Sequence, residues 1–187
     1  MARLIVWNLL TLDGYFEGAK KWDLDFHNRA WGPELEKLSE EFGRKAGTLV
    51  FGRVTYEGMK AHWTSAASSA EPGNVTDFMN ALPKLVASRT LTSSDWNNTR
   101  VTSDIEGELT RLKASSDKDI YVFGSAVLTR SLLDAGLVDE LMLCHVPVLL
   151  GEGTPFFKPG KQANLALIDV QKLANGSLIT RYEVRRA

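Results

Sequence analysis

The chain has 187 residues, 44% of them hydrophobic and 24% charged, and a formal net charge of -1. That is enough for one domain with a proper core, and the near-neutral balance excludes a general attraction to nucleic acid or to anionic membranes, so any basic site must be local. No stretch approaches the roughly 18 apolar residues needed to span a bilayer, and residues 1–8 read as a first strand rather than a signal peptide, so a cytoplasmic protein is expected. The single cysteine, Cys144, excludes an intrachain disulfide and a multi-cysteine zinc site. His27, His62 and His145 are far apart and none has metal-ligand spacing, so no metal centre is expected.

Residues 4–10 read as a strand closed by the turn Thr11-Leu12-Asp13-Gly14, where Asp can bond its own backbone and Gly can take positive φ. A polar loop over residues 17–30 follows, studded with Trp22, Asp23, Asp25, Phe26 and His27. It is either a loop pinned by its aromatics or a cover carrying acid groups over a ring-shaped substrate. Pro33 then opens a helix running to Arg44, with Leu35, Leu38 and Phe42 on its buried face.

The apolar run Thr48-Leu49-Val50-Phe51 is a buried strand, and Gly52-Arg53-Val54-Thr55 follows it where a short helix to about His62 begins. Residues 63–75 are a Ser/Ala-rich surface excursion with no expected core role. A short helix over 76–82 leads through Pro83 into a strand over 84–89, whose end presents Ser88 and Arg89. Val101 marks a brief extended segment, and Ile105, Leu109 and Leu112 give a helix over 105–114.

The stretch around which the rest is organised is Asp-Ile-Tyr-Val-Phe-Gly-Ser-Ala-Val-Leu-Thr-Arg-Ser-Leu-Leu, residues 119–133. Ile120 to Phe123 is too short for a helix and reads as a buried strand; Gly124 stops it; Ser125 is placed to cap a helix bearing Val127, Leu128, Leu132 and Leu133. A strand passing through a glycine turn into a helix aims unpaired N–H groups and the positive helix end at whatever sits above the strand, which makes a phosphate seat. Two such junctions, one bearing an arginine, point to one ligand with more than one phosphate, economically a dinucleotide. The remainder, with a strand over 141–146, a glycine-rich turn at 151–157 and two strands joined by Asn175-Gly176, completes a mostly parallel sheet with helices on both faces and an antiparallel edge, in one domain over 1–187.

The ordered motifs Leu12-Asp13-Gly14, 49–57, 85–89, Val122-Phe123-Gly124-Ser125-Ala126, 136–141 and 147–153 resemble the dihydrofolate reductase-like superfamily, and within it the stand-alone relatives of the RibD C-terminal reductase domain. The resemblance runs nearly end to end. It implies a dihydrofolate reductase-like α/β fold with a sheet of about eight strands, NADPH as hydride donor and a homodimer. It places Gly52, Arg53 and Thr55 on the pyrophosphate and 2′-phosphate region of the cofactor, Ser88 and Arg89 on its adenosine side, and Gly124, Ser125, Ala126, Val127 and Leu128 around the pyrophosphate towards the nicotinamide. Arg53 and Arg89 are also the two strand-end cations available to a 2′-phosphate.

The chain departs from the family's pattern where members commonly carry Gly-Gly, here Gly124-Ser125, and where folate enzymes would hold a tail-gripping arginine, here Leu82. Counting back from Gly52, the folate enzymes' first-helix acid falls at Glu36, with Asp25 as the competing proton donor; their active-site threonine falls at Cys144. The expected function is therefore an NADPH-dependent reductase delivering hydride to a C=N or C=O of a small heterocyclic substrate, resembling the riboflavin-pathway 5-amino-6-(5-phosphoribosylamino)uracil reductase. The alternatives are a non-catalytic nucleotide- or flavin-binding module on the same fold, and junctions that are only helix caps.

Overall fold

The computed structural model of the chain describes residues 1–70 and 74–185. Its centre is β1 (Leu4–Thr11), buried along its whole length. Side chains alternate across a strand, so Ile5, Trp7 and Leu9 join one hydrophobic cluster while Leu4, Val6 and Leu10 join another on the opposite face. A strand apolar on both faces belongs between two layers. It pairs in parallel with β6 (Asp119–Phe123) on one side and β7 (Glu140–Val146) on the other.

Beyond β6 lie β3 (Ala46–Gly52), β4 (Lys84–Ala87) and β5 (Thr99–Thr102), all parallel. Beyond β7 come β10 (Leu178–Arg185) and β9 (Asn164–Lys172), both antiparallel to their neighbours. The result is an eight-stranded sheet in the order β5-β4-β3-β6-β1-β7-β10-β9. The Asn175-Gly176 turn closes the hairpin with Gly176 at φ +87°, and its tip docks on the body: Asn175 Nδ2 donates to the Ala30 carbonyl at 2.8 Å and Glu34 accepts from the Ala174 N–H at 3.0 Å.

Helices cover both faces. The short α1 (His27–Ala30), then α2 (Pro33–Lys45), α3 (Arg53–Trp63) and α5 (Asn74–Ala81) pack Leu35, Phe42, Tyr56, Phe78 and Met79 against the Trp7 side of the sheet. Between α3 and α5 lies the short α4 (Ala66–Ala70). On the other side α6 (Ile105–Ser115) and α7 (Ala126–Asp134) contribute Leu109, Ala126, Leu128 and Leu132. The neighbouring strands β3 and β6 thus send their following helices to opposite faces. Such a divergence opens a crevice at the carboxyl ends of the strands, the place where open α/β sheets bind ligands.

Three expectations change. The 17–30 segment is flanked by β2 (Tyr15–Glu17), which pairs with β8 (Thr154–Pro155), and contains α1; these pieces are too short to carry a hydrophobic period. The strand expected over 84–89 ends at Ala87, because the Ser88 hydroxyl accepts from the N–H groups of Thr90 at 3.2 Å and Leu91 at 2.9 Å and turns the chain aside. The 63–75 segment does reach the core: Trp63 and Val75 pack against the Trp7-side cluster, while residues 71–73 lie outside the described residues.

Among the described residues two charged side chains, Lys84 and Glu140, sit inside. Glu140, 0% exposed, accepts from Arg181 Nε at 2.6 Å and Nη2 at 3.1 Å and pairs with Arg3 at 2.6 Å, tying the first strand to the last. Replacing one member of a buried ion pair leaves its partners uncompensated. Glu140→Gln is expected to lower stability by about 2 kcal/mol, read by urea denaturation.

Candidate functional site

The two glycine junctions meet. The Gly52 N–H, at the end of β3, donates to Ser125 Oγ, at the end of β6, at 2.9 Å. Gly124 stands at φ +65°, and a Cβ built on it would lie 2.9 Å from Thr55 Cγ2. Only a glycine lets the backbone of the second junction come this close to the side chain of the first. The hydroxyl of Ser125 was expected to cap α7, but it makes no cap; Ser125 itself takes the left-handed conformation, φ 62° and ψ 60°, which turns its side chain away from the helix and onto Gly52. The helix's first-turn N–H groups, which no α-helix can pair internally, are thereby left without a side-chain cap.

These junctions form one rim of a cavity of about 870 Å³, towards the upper end of the range of about 300–1,000 Å³ usual for ligand sites. Gly52, Arg53, Thr55, Ser88, Arg89, Gly124, Ser125, Ala126, Val127 and Leu128, the whole set placed on the cofactor by resemblance, line it. The two arginines differ. Arg53 forks onto Glu57, one turn on in α3, at 2.8 and 3.1 Å. Arg89 is exposed and makes no ion pair among the described residues. Thr102 and Ser103, at the end of β5, complete this rim. They escaped the sequence reading because a four-residue strand around Val101 gave no sign of ending beside the other three.

The opposite half of the cavity is aromatic. Trp7, Trp22, Trp31, Phe42, Trp63, Phe78 and Phe123 line it, with Leu9, Leu24, Met59 and Met79. Phe42 holds the wall together, its ring 5.1 Å from that of Trp7 and 5.8 Å from that of Phe123. Trp22 has φ 66°, a costly conformation for a bulky residue. Two contacts fix it: its N–H donates to Glu17 Oε2 at 2.9 Å, and its indole lies where any side chain on Gly58 of α3 would have to be.

The two proton-donor candidates do not join this cavity. Glu36 and Asp25 are both exposed and neither lines it. Leu35, Ser39 and Phe42 form the buried face of α2, and Glu36, about 100° around the helix from Leu35, points off it. The α2 polar group on the wall is Ser39, whose hydroxyl donates to the Leu35 carbonyl at 2.9 Å. The carboxylate that does line the cavity, Glu17, already accepts from Trp22 N–H and, at 3.2 Å, from the Thr154 hydroxyl. Cys144 is wholly buried in the core, and burial pushes its thiol up to about 12. Leu82 packs against the same core.

His27 lines the cavity, and burial pushes it down to about 4, so its ring is neutral at pH 7. The unfolded chain, with an ordinary histidine near 6.5, binds a proton that the folded chain refuses between these two values. Folding stability is therefore expected to fall as pH drops from 6.5 towards 4, by on the order of 2 kcal/mol at about pH 5. His27→Gln should remove that component, visible as a flatter pH dependence of urea unfolding midpoints.

A mostly parallel sheet with an antiparallel C-terminal pair and a crevice at β3 and β6 makes this a dihydrofolate reductase-like α/β fold. The chain belongs to the RibD C-terminal domain family, which it matches over residues 2–179. It is 29% identical over 175 residues to the uncharacterized protein YyaP of Bacillus subtilis (strain 168), covering 93% of this chain and 90% of that one. It is 24% identical over 161 residues to YwjB of the same organism, covering 83% and 82%. Among solved structures, the putative riboflavin biosynthesis protein of Shewanella sp. PV-4 superposes over 100% of both chains with a TM-score of 0.78 at 22% identity. The diaminohydroxyphosphoribosylaminopyrimidine deaminase/5-amino-6-(5-phosphoribosylamino)uracil reductase of Thermotoga maritima gives a TM-score of 0.67 at 14% identity, over 98% of this chain and 57% of that one. No helix among the described residues is long and apolar enough to cross a membrane.

Proposed function

We propose that this chain is an NADPH-dependent reductase that delivers hydride to a C=N or C=O of a small ring-shaped substrate. The observation that carries the reading is the Gly52–Ser125 hydrogen bond, which brings two strand-end phosphate seats onto one cavity rim. The residues there fit a dinucleotide phosphate: glycine backbone where a Cβ would collide, first-turn N–H groups of α7, and Arg89 beside them without an ion-pair partner among the described residues. Gly52, Thr55, Gly124, Ser125, Ala126, Val127 and Leu128 would hold the pyrophosphate and the approach to the nicotinamide; Ser88, Arg89 and Arg53 the 2′-phosphate side.

NADPH bound there supplies the hydride. The chain's own part is to bind and to hold the two rings face to face. His27 is neutral and Glu17 is committed to two hydrogen bonds, so the proton reaches the product from solvent at the cavity mouth. Glu36 and Asp25 receive no role in this reading. NADPH at about a hundred times its Kd should raise the melting temperature by about 5–10 °C. No shift at millimolar NADPH would sink the proposal.

The second reading, a nucleotide- or flavin-binding module without turnover, draws on one observation: among the described residues the carboxylate that lines the cavity, Glu17, already accepts two hydrogen bonds. Oxidation of NADPH at 340 nm with any ring substrate in a panel of imines, pterins and pyrimidinones eliminates it.

A further inference from the structure

The central strand carries one polar side chain between two apolar ones on the same face. Val6 and Leu10 lie in the cluster on the α7 side, with Ala126 and Leu128, while Trp7 and Leu9 lie in the cluster on the other face. Because side chains alternate along a strand, Asn8 points to the α7 side, between Val6 and Leu10. It is 6% exposed and lines the cavity, and its Nδ2 has no hydrogen-bond partner among the described residues. Burying an amide unpaired is costly, and such groups are almost always paired. Nδ2 can only donate, so its match is an acceptor on something that enters the cavity.

The strand register places Asn8 at the second glycine junction. Trp7 pairs with Phe123, the last residue of β6, so Asn8 stands beside Gly124, where β6 ends and β1 runs on along β7. There α7 begins, with no side-chain cap on its first turn. From the far edge inwards the strands follow the order β5-β4-β3-β6-β1. With neighbouring strands about 4.8 Å apart, the line from the end of β4, where Ser88 and Arg89 stand, to β1 is about 14 Å. That is close to the reach of an extended dinucleotide from its adenosine ribose to its pyridine ring. A cofactor with its 2′-phosphate at Arg89 and its pyrophosphate across Gly52 and Gly124 therefore arrives at β1 with its nicotinamide nucleotide.

We propose that Asn8 is a binding residue for the nicotinamide nucleotide, its Nδ2 donating to an uncharged oxygen there, on the carboxamide or on the ribose. The proposal rests on the reading above, in which the strand-end rim holds the cofactor, and it adds a residue from β1, which otherwise supplies none to that rim. The amide is neutral and brings no charge beside the pyrophosphate. A donor on the rigid central strand holds the ring end of the cofactor in place between α7 and the aromatic wall.

Calorimetry on the full chain compares NADPH, its thionicotinamide analogue and adenosine 2′,5′-bisphosphate, which lacks the nicotinamide nucleotide. Asn8→Leu should weaken NADPH by about tenfold, the loss of one hydrogen bond, and leave adenosine 2′,5′-bisphosphate within about twofold. Its urea midpoint without ligand should be unchanged or higher, since leucine removes an unpaired amide from an apolar face. Asn8→Thr, which keeps a donor on a side chain suited to a strand, should lose less than about threefold. The sulfur of the thionicotinamide analogue is a poor acceptor. With it, Asn8→Leu loses nothing further where the partner is the carboxamide, and about the same tenfold where it is the ribose. Wild-type NADPH affinity in Asn8→Leu overturns the proposal and leaves the cofactor reading standing. So does equal weakening of NADPH and the bisphosphate with a lowered urea midpoint, the mark of a purely structural amide. Should Asn8→Leu not fold, Asn8→Ala carries the same comparison of ligands. Wild-type protein that binds neither NADPH nor the bisphosphate rejects the cofactor reading, and this proposal with it.

Discussion

Arg89→Ala weakens NADPH binding by roughly 10- to 100-fold and leaves NADH nearly unaffected. That follows from the proposed placement of the 2′-phosphate, because a hydrogen bond to a charged group contributes about 1.5–3 kcal/mol and NADH lacks the phosphate that would receive it. Arg89 is the more sensitive of the two strand-end arginines for a physical reason. Arg53 already holds Glu57 at 2.8 and 3.1 Å, so a phosphate must share or displace that carboxylate. Arg89 gives up no ion pair among the described residues. Arg53→Ala is therefore expected to cost less, and Glu57→Gln, which releases Arg53, to tighten NADPH slightly. Parallel NADPH and NADH titrations of the variants read out the ratio; equal losses for both nucleotides in Arg89→Ala would remove Arg89 from the 2′-phosphate.

Gly124→Val is the second large effect and acts through the backbone. At φ +65° a β-branched residue is strained whatever surrounds it, and here its Cβ would fall 2.9 Å from Thr55 Cγ2 before the two methyls are counted. Either the β6–α7 junction moves away from α3, breaking the Gly52–Ser125 hydrogen bond, or Thr55 is driven out of the rim. Both routes separate the two phosphate seats. The variant should lose about 3 kcal/mol of stability and bind NADPH at least about 100-fold more weakly. A comparison with Ser125→Gly distinguishes strain from contact: glycine relieves the left-handed conformation at residue 125 but leaves the Gly52 N–H without its 2.9 Å partner. A Gly124→Val protein that folds and binds NADPH normally would mean that the close approach of the junctions has no part in binding.

The fold was legible where the sequence carries a period or a stop. Apolar runs ended by glycine marked β3 and β6, Pro33 and the Leu35–Phe42 spacing marked α2, and Asn175-Gly176 marked the hairpin. The ten residues assigned to the cofactor by resemblance all line one cavity for the same reason: glycine turns at the carboxyl ends of parallel strands fall on one edge.

What could not be read is what depends on contacts far apart in the chain. Ser125 looked like a helix cap because serine before a helix usually is one; its bond to Gly52, 73 residues away, has no local signature. Glu36 follows from counting back along the chain, and counting cannot tell which side of α2 faces the sheet; the buried face runs through Leu35, Ser39 and Phe42. Asp25 follows only from its place in the preceding loop, which says nothing of where its side chain ends up. The aromatic wall draws Trp7 from a strand, Trp22 and Trp31 from either side of α1, and Trp63 from the last residue of α3. Only folding makes these a group.

The most direct test is a nucleotide titration followed by tryptophan emission. Trp7, Trp22, Trp31 and Trp63 line the proposed nicotinamide-bearing cavity, so NADPH, which absorbs where tryptophan emits, should quench them saturably with a Kd in the micromolar range, at least about tenfold below that of NADH. An emission unchanged up to millimolar NADPH, or identical curves for NADPH and NADH, would contradict the account.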